Sequence, residues 1–129
     1  MPDEESSLPQ DWFKKGEADI QTVEILITHG GDPEIAASHL QQALEKYLKV
    51  YLLSKGWQLQ RIHDLAILLD EAVKFKPEFE QFRDFLEEVT AYYFQSRYPF
   101  QVEGPEKEEV EKALAQTKQI IQLLLEDIE

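Results

Sequence analysis

Two short polar segments carry the side chains best suited to chemistry. His63 and Asp64 stand together in a predicted loop that leads into an apolar helix, and imidazole exchanges protons near neutral pH. Both side chains can also hydrogen-bond to the edge of a base or a ribose. Arg97 offers a planar fork for a phosphate group, while Tyr98 or Tyr92 could stack on a base. These residue types are suited to binding a nucleotide.

A polar stripe follows the second predicted helix. His39, Gln42, Lys46 and Lys49 recur at spacings of three and four residues, so they lie on one side of that helix. The two lysines would add positive charge for a phosphate. The ordinary interpretation of such a stripe is a solvated face, and a lone histidine is more often a satisfied side chain than a ligand.

A structural interpretation also exists for the whole set of candidate residues. The polar side chains could form a buried network that joins helix three to helices two and four. In that network Arg97 would pair with Asp64 or with Glu45. Asp64 alone could simply be the N-cap of helix three.

Other kinds of site lack the residues that they need. The chain has no cysteine, which excludes a thiolate zinc site, a disulfide and a cysteine nucleophile. His39, Glu45, His63 and Asp64 could in principle meet at a metal ion, but their spacing matches no known ligand motif. Gly30-Gly31 lacks the lysine of a phosphate-binding loop, and no serine has the setting of a nucleophile elbow. We therefore expect neither a metal nor a cofactor.

Charge argues against a broad nucleic-acid-binding face. The net charge is −13, and phosphate affinity rests largely on lysine and arginine. The acids are concentrated at the two ends, because residues 21–102 hold twelve acids against eight bases. A local positive pocket in this middle segment is compatible with the composition.

The longest apolar runs are far too short to span a bilayer, so we expect no membrane segment. Residues 1–5 are acidic where a signal peptide would be basic, which predicts a cytoplasmic protein.

Periodicity predicts an all-α protein of about five helices and no strand. The segments run from about 11 to 28, 33 to 55, 64 to the mid-seventies, 78 to 96 and 105 to 128. Asp11 and Asp32 are N-cap candidates, and Pro33 suits a first helical turn. Helix two is the most apolar, which places it at the centre. Residues 1–10 are interpreted as a flexible acidic tail and residues 11–129 as one domain.

In order and spacing, four segments resemble the HEPN family, the nucleotide-binding helical domain of higher eukaryotes and prokaryotes. They are Trp12–Asp19, His39–Lys49, His63–Leu65, and Tyr92-Tyr93 with Ser96–Pro99. The resemblance covers about Asp11 to Pro99. It implies an antiparallel up-and-down bundle of four helices with a fifth C-terminal helix, usually paired as a homodimer.

The resemblance also implies partners and two functions. Small members often work beside a minimal nucleotidyltransferase, either fused or as a separate toxin–antitoxin partner, and a nucleotide or RNA is the expected ligand. Related domains are metal-independent ribonucleases in which an arginine is followed by four to six residues and then a histidine. Here no histidine follows Arg97, so His63 or His39 would have to replace it. The binding module is therefore the favoured function, and the ribonuclease toxin is the alternative.

Overall fold

The computed structural model describes residues 5–95 and 104–128, and for Phe94 and Gln95 it describes the backbone alone. These residues form five α-helices, one 3₁₀ helix and no strand. The elements are α1 (Pro9–Thr28), α2 (Pro33–Ser54), α3 (Leu65–Val73), a 3₁₀ helix (Pro77–Phe82), α4 (Arg83–Gln95) and α5 (Lys107–Glu126). The predicted all-α fold is confirmed.

Helix α2 lies at the centre, as its apolar sequence predicts. It packs against α1, α3, α4 and α5. Leucine, alanine and tyrosine side chains cover most of its circumference, and twelve of its residues are buried. A helix buried on nearly all sides fixes the other four around it, so polar residues on α2 are drawn into the interior as well.

Close contact between α1 and α2 depends on Gly16. A Cβ atom at this position would lie 2.8 Å from the Tyr47 ring, which leaves no room for a larger residue without movement. The Tyr47 ring in turn packs edge-on against Phe13, with centroids 5.6 Å apart. Burial first, and the charge of Glu17 second, raise the pKa of Tyr47 to about 12, so its hydroxyl stays neutral at physiological pH.

The predicted start of α2 is confirmed. Asp32 accepts a 2.8 Å hydrogen bond from the backbone N–H of Glu34, and Pro33 occupies the first turn. Gly30, with φ at +72°, supplies the left-handed turn that ends α1 and lets α2 return antiparallel to it.

Three predicted helix starts were wrong. Helix α1 begins at Pro9 after Leu8, so Asp11 is not its cap and instead accepts a 2.7 Å hydrogen bond from the Ser6 hydroxyl. The fourth segment opens with the 3₁₀ helix before α4 begins at Arg83. Helix α5 starts at Lys107, because the backbone N–H of Glu106 is satisfied by the Glu109 side chain at 3.0 Å.

Candidate functional site

The main cavity, with a volume of about 490 Å³, lies between α2, the loop before α3, and α4. Its wall combines amide, carboxylate, imidazole and phenol groups. The lining residues are Gln41, Gln42, Glu45, His63, Asp64, Leu65, Thr90 and Tyr93. Three of the predicted site residues, Gln42, His63 and Asp64, are therefore brought together.

His63 is oriented by a carboxylate. Its Nδ1 atom lies 2.7 Å from Glu45 Oε2 and 3.4 Å from Lys49 Nζ. The imidazole is 63% exposed while the Glu45 side chain is 14% exposed, so a partly buried acid holds an accessible ring. A carboxylate at one ring nitrogen fixes the ring and leaves the other nitrogen for a ligand.

Asp64 has the structural role that the sequence suggested. Its Oδ1 atom accepts hydrogen bonds from the backbone N–H groups of Ala66 at 2.8 Å and Ile67 at 3.3 Å. Asp64 thus caps α3 and also lines the cavity.

The stripe of α2 is not a solvated face, so that expectation was wrong. His39 and Lys46 both contact Asp19 of α1, with His39 Nδ1 at 2.9 Å from Asp19 Oδ1. Asp19 is only 7% exposed. These two residues therefore bind a neighbouring helix, and of the four stripe residues Gln42 alone lines the main cavity among the residues that the structure describes.

Lys49 is completely buried. Its ammonium group lies 3.1 Å from both Glu5 Oε1 and Glu45 Oε2, and 4.4 Å from the centre of the Trp12 ring. A buried lysine needs such partners, because an unpaired charge in the interior is costly. Together with the Glu45–His63 contact, these contacts join the loop before α3 to α2. The links to α4 and Arg97 that the sequence suggested for such a network stay predictions.

Arg97 and Tyr98 lie outside the described residues, so their roles, and any pairing of Arg97 with Asp64 or Glu45, stay predictions. The tyrosine on the cavity wall is Tyr93. Tyr92, which the sequence offered for stacking, donates a 2.8 Å hydrogen bond to Glu88. Burial first and this bond second raise the pKa of Tyr92 to about 12.

Sequence reasoning did not single out Asp19, Glu5 or Gln41, which contact the stripe residues or line the cavity. Asp19 had a detectable signal, because it follows Gly16 by three residues and precedes Val23 by four, and all three are buried on one face of α1. Glu5 gave no such signal, since it precedes the first helix. Gln41 was hidden inside the apolar face of α2, where it is 6% exposed.

Within residues 5–95 and 104–128, no group of three metal-ligating side chains could hold an ion. No helix in the same part of the chain is long and apolar enough to cross a membrane.

The helical bundle, with its polar cavity beside the central helix, defines a recognisable class of domain. A model of the HEPN domain family matches residues 9–128, and the chain belongs to that family. It is also similar to the crystal structure of an archaeal HEPN homologue, with a TM-score of 0.67 and 24% identity over 95% of this chain and 98% of the other. That likeness concerns the fold. Among curated proteins, none matches the sequence.

Proposed function

We propose that this HEPN domain is a nucleotide-binding module whose main cavity receives the base and ribose. The observation that carries the proposal is that Gln42, His63 and Tyr93, from three different parts of the bundle, line the same cavity. An amide presents both donors and an acceptor, as the edge of a base does. An aromatic ring offers a stacking surface, and His63 adds an oriented imidazole.

The charged residues of the cavity lining indicate which part of a nucleotide the cavity would bind. The described lining contains two carboxylates, Glu45 and Asp64, and neither lysine nor arginine. Such a wall suits the neutral base and the ribose hydroxyls better than phosphate oxygens. Arg97, four residues after Tyr93 in the sequence, is proposed as a phosphate ligand because its guanidinium can hold two phosphate oxygens at once.

The proposal is tested by titrating the protein with ATP, GTP and their monophosphates in a calorimeter. We expect binding of at least one of them. Gln42→Ala and His63→Ala should each weaken it about tenfold, the usual effect of losing one ligand hydrogen bond. The matched controls are Gln21→Ala and His29→Ala, which remove the same residue types from exposed positions of α1 and its C-cap. Equal affinity in the wild type and the cavity variants, or no binding at all, would contradict the proposal.

The alternative function is metal-independent cleavage of RNA, and one observation favours it. The 2.7 Å contact of His63 with Glu45 resembles the arrangement of a general base held by a carboxylate. Incubation with a short RNA, followed by a gel, separates the two functions. We expect intact RNA. If the wild type cleaves RNA, and if His63→Ala abolishes this cleavage while His29→Ala leaves it unchanged, the protein is a ribonuclease and the binding function is rejected.

Homodimerisation, and pairing with a minimal nucleotidyltransferase as in a toxin–antitoxin system, are proposed from family membership. Exposed apolar side chains support a protein interface, among them Ile25 at 59% and Ile35 at 50% exposure. Sedimentation velocity over a range of concentrations tests the homodimer. A monomer at every concentration would exclude it.

A further inference from the structure

The carboxylate of Glu5 lies at the end of a completely buried lysine. Lys49 Nζ is 3.1 Å from Glu5 Oε1, although the two residues are far apart in sequence. The Trp12 ring covers the same ammonium group from another side. An acid from the segment before α1 therefore shares this cation of the central helix with Glu45, whose Oε2 atom is also 3.1 Å from Lys49 Nζ.

Glu5 is incompletely satisfied in this position. Its second oxygen, Oε2, is buried and has no hydrogen-bond partner among the described residues. The Nε atom of Arg61 is 3.9 Å from this oxygen, beyond hydrogen-bond distance. A buried carboxylate oxygen without a donor costs free energy, so the Glu5 side chain is held less tightly here than a fully hydrogen-bonded carboxylate would be.

We propose that Glu5 occupies an anion-binding site for a phosphate group, and that a phosphorylated ligand displaces the Glu5 side chain to bind Lys49 and Arg61. A phosphate carries more acceptor oxygens than a carboxylate and can reach both cations at once. The side chain of Arg61 is 63% exposed, so it can turn toward such a ligand without disturbing the core.

The position of this site links it to the nucleotide-binding cavity. Lys49 Nζ lies 3.4 Å from His63 Nδ1, and His63 lines the main cavity. A nucleotide with its base in that cavity would direct a phosphate toward Lys49, an extension that rests on the proposed function. A second cavity of about 390 Å³ is lined by Glu5, Ser6, Asp11, Trp12, Lys15 and Lys46. Its two lysines are balanced by the carboxylates of Glu5 and Asp11, so it offers space next to the site but no net positive charge.

The segment that carries Glu5 can release the side chain without leaving the bundle. Ser6 is held by two hydrogen bonds of 2.7 Å, one from Trp12 Nε1 to its carbonyl oxygen and one from its hydroxyl to Asp11. Rotation of the Glu5 side chain alone therefore opens the site. While Glu5 competes for Lys49, the apparent affinity for an anion equals the intrinsic affinity multiplied by the fraction of molecules in which the site is open.

Titration with inorganic pyrophosphate tests the site directly. Glu5→Gln should bind pyrophosphate about tenfold more tightly than the wild type, because a charged competitor is removed. Glu111→Gln, at an exposed position of α5, makes the same change in net charge and should leave the affinity unchanged. Adding Arg61→Gln to Glu5→Gln should cancel most of the gain, and since Arg61 is exposed, the double variant should fold. Equal affinities of Glu5→Gln and Glu111→Gln, or a gain that survives Arg61→Gln, would overturn the proposal.

A second titration separates this site from the proposed function. Nucleoside monophosphates should gain affinity in Glu5→Gln, whereas the unphosphorylated nucleosides should not. Nucleotide binding that is equally strong in the wild type and in Glu5→Gln would retain the nucleotide-binding function and reject the anion site. A gain for pyrophosphate without nucleotide binding in any variant would retain the anion site and reject that function.

Discussion

The Oδ1 atom of Asp19 lies 2.9 Å from Nδ1 of His39, and this contact joins the first helix to the central one. Asp19 also pairs with Lys46 through its other oxygen. The carboxylate is almost fully buried, while His39 and Lys46 retain 29% and 21% of their side-chain exposure. Two residues that the sequence offered for ligand binding are thus already satisfied by a neighbouring helix.

Asp19→Ala should lower the free energy of unfolding by about 2 kcal/mol, because His39 and Lys46 lose their partner in a largely buried setting. Their partial exposure keeps the cost below that of a fully buried pair. Urea denaturation measures it, and Glu17→Ala, at an exposed position of the same helix, should change stability by less than about 0.5 kcal/mol. Equal stability of the two variants would show that the contacts of Asp19 with His39 and Lys46 do not contribute to the free energy of unfolding.

His39→Ala and His63→Ala should differ in their effect on nucleotide affinity. His39 contacts Asp19, away from the main cavity lining, so its removal should leave the dissociation constant within about twofold. Removal of His63 should raise the dissociation constant about tenfold. Calorimetric titration of both variants measures this difference, and a larger loss for His39→Ala would move the site to the α1–α2 contact.

Asp64→Ala should destabilise the protein by about 1 kcal/mol, the usual cost of losing an N-cap side chain. Asp64→Ser keeps an oxygen that can accept from the same backbone N–H groups, so it should retain most of the stability. Thermal denaturation of the two variants makes the comparison. If serine and alanine cost the same, the cap does not contribute to stability.

Gly16→Ala should destabilise the protein by about 1 kcal/mol. The new methyl group would meet the buried Tyr47 ring at 2.8 Å, and overpacking of this kind outweighs the better helix propensity of alanine. In a Tyr47→Leu background the cost should vanish, since the obstructing ring is gone. A double-mutant cycle by urea denaturation measures the coupling, and a stabilising effect of Gly16→Ala in the wild type would refute the close contact.

Stability should fall in acid partly through Asp127, at the end of α5. Tyr51 Oη donates to its carboxylate at 2.6 Å, and this bond, followed by those from Lys76 and Lys55, holds the pKa of Asp127 below its usual range. A lowered pKa in the folded state gives stability that is present above the unfolded value of about 4 and is lost as pH falls through the folded one.

Asp127→Asn should therefore cost stability near pH 7, and that cost should shrink near pH 3. Urea denaturation at both pH values, with Asp84→Asn on α4 as the exposed control, tests the linkage. A cost that is independent of pH would mean that the charge of Asp127 is irrelevant.

Local signals were sufficient for most of the architecture. The apolar circumference of α2 predicted its central position, and Asp32 and Asp64 were recognisable as N-caps because capping depends on neighbouring residues alone. The exact helix starts were less predictable. Helix α1, for example, begins at Pro9 with Leu8 as its N-cap residue, so Asp11 already lies inside the first turn.

The sequence by itself determined the helical fold, the central helix, the family, and the face of α2 on which His39, Gln42, Lys46 and Lys49 lie, because periodicity defines which residues share a side. The tertiary structure decided which partner each of them meets. Asp19 binds His39 from 20 positions away, and Glu5 reaches Lys49 from 44. Such contacts depend on how whole helices and the segment before α1 pack together, and spacing along one helix contains no information about the residues that face it.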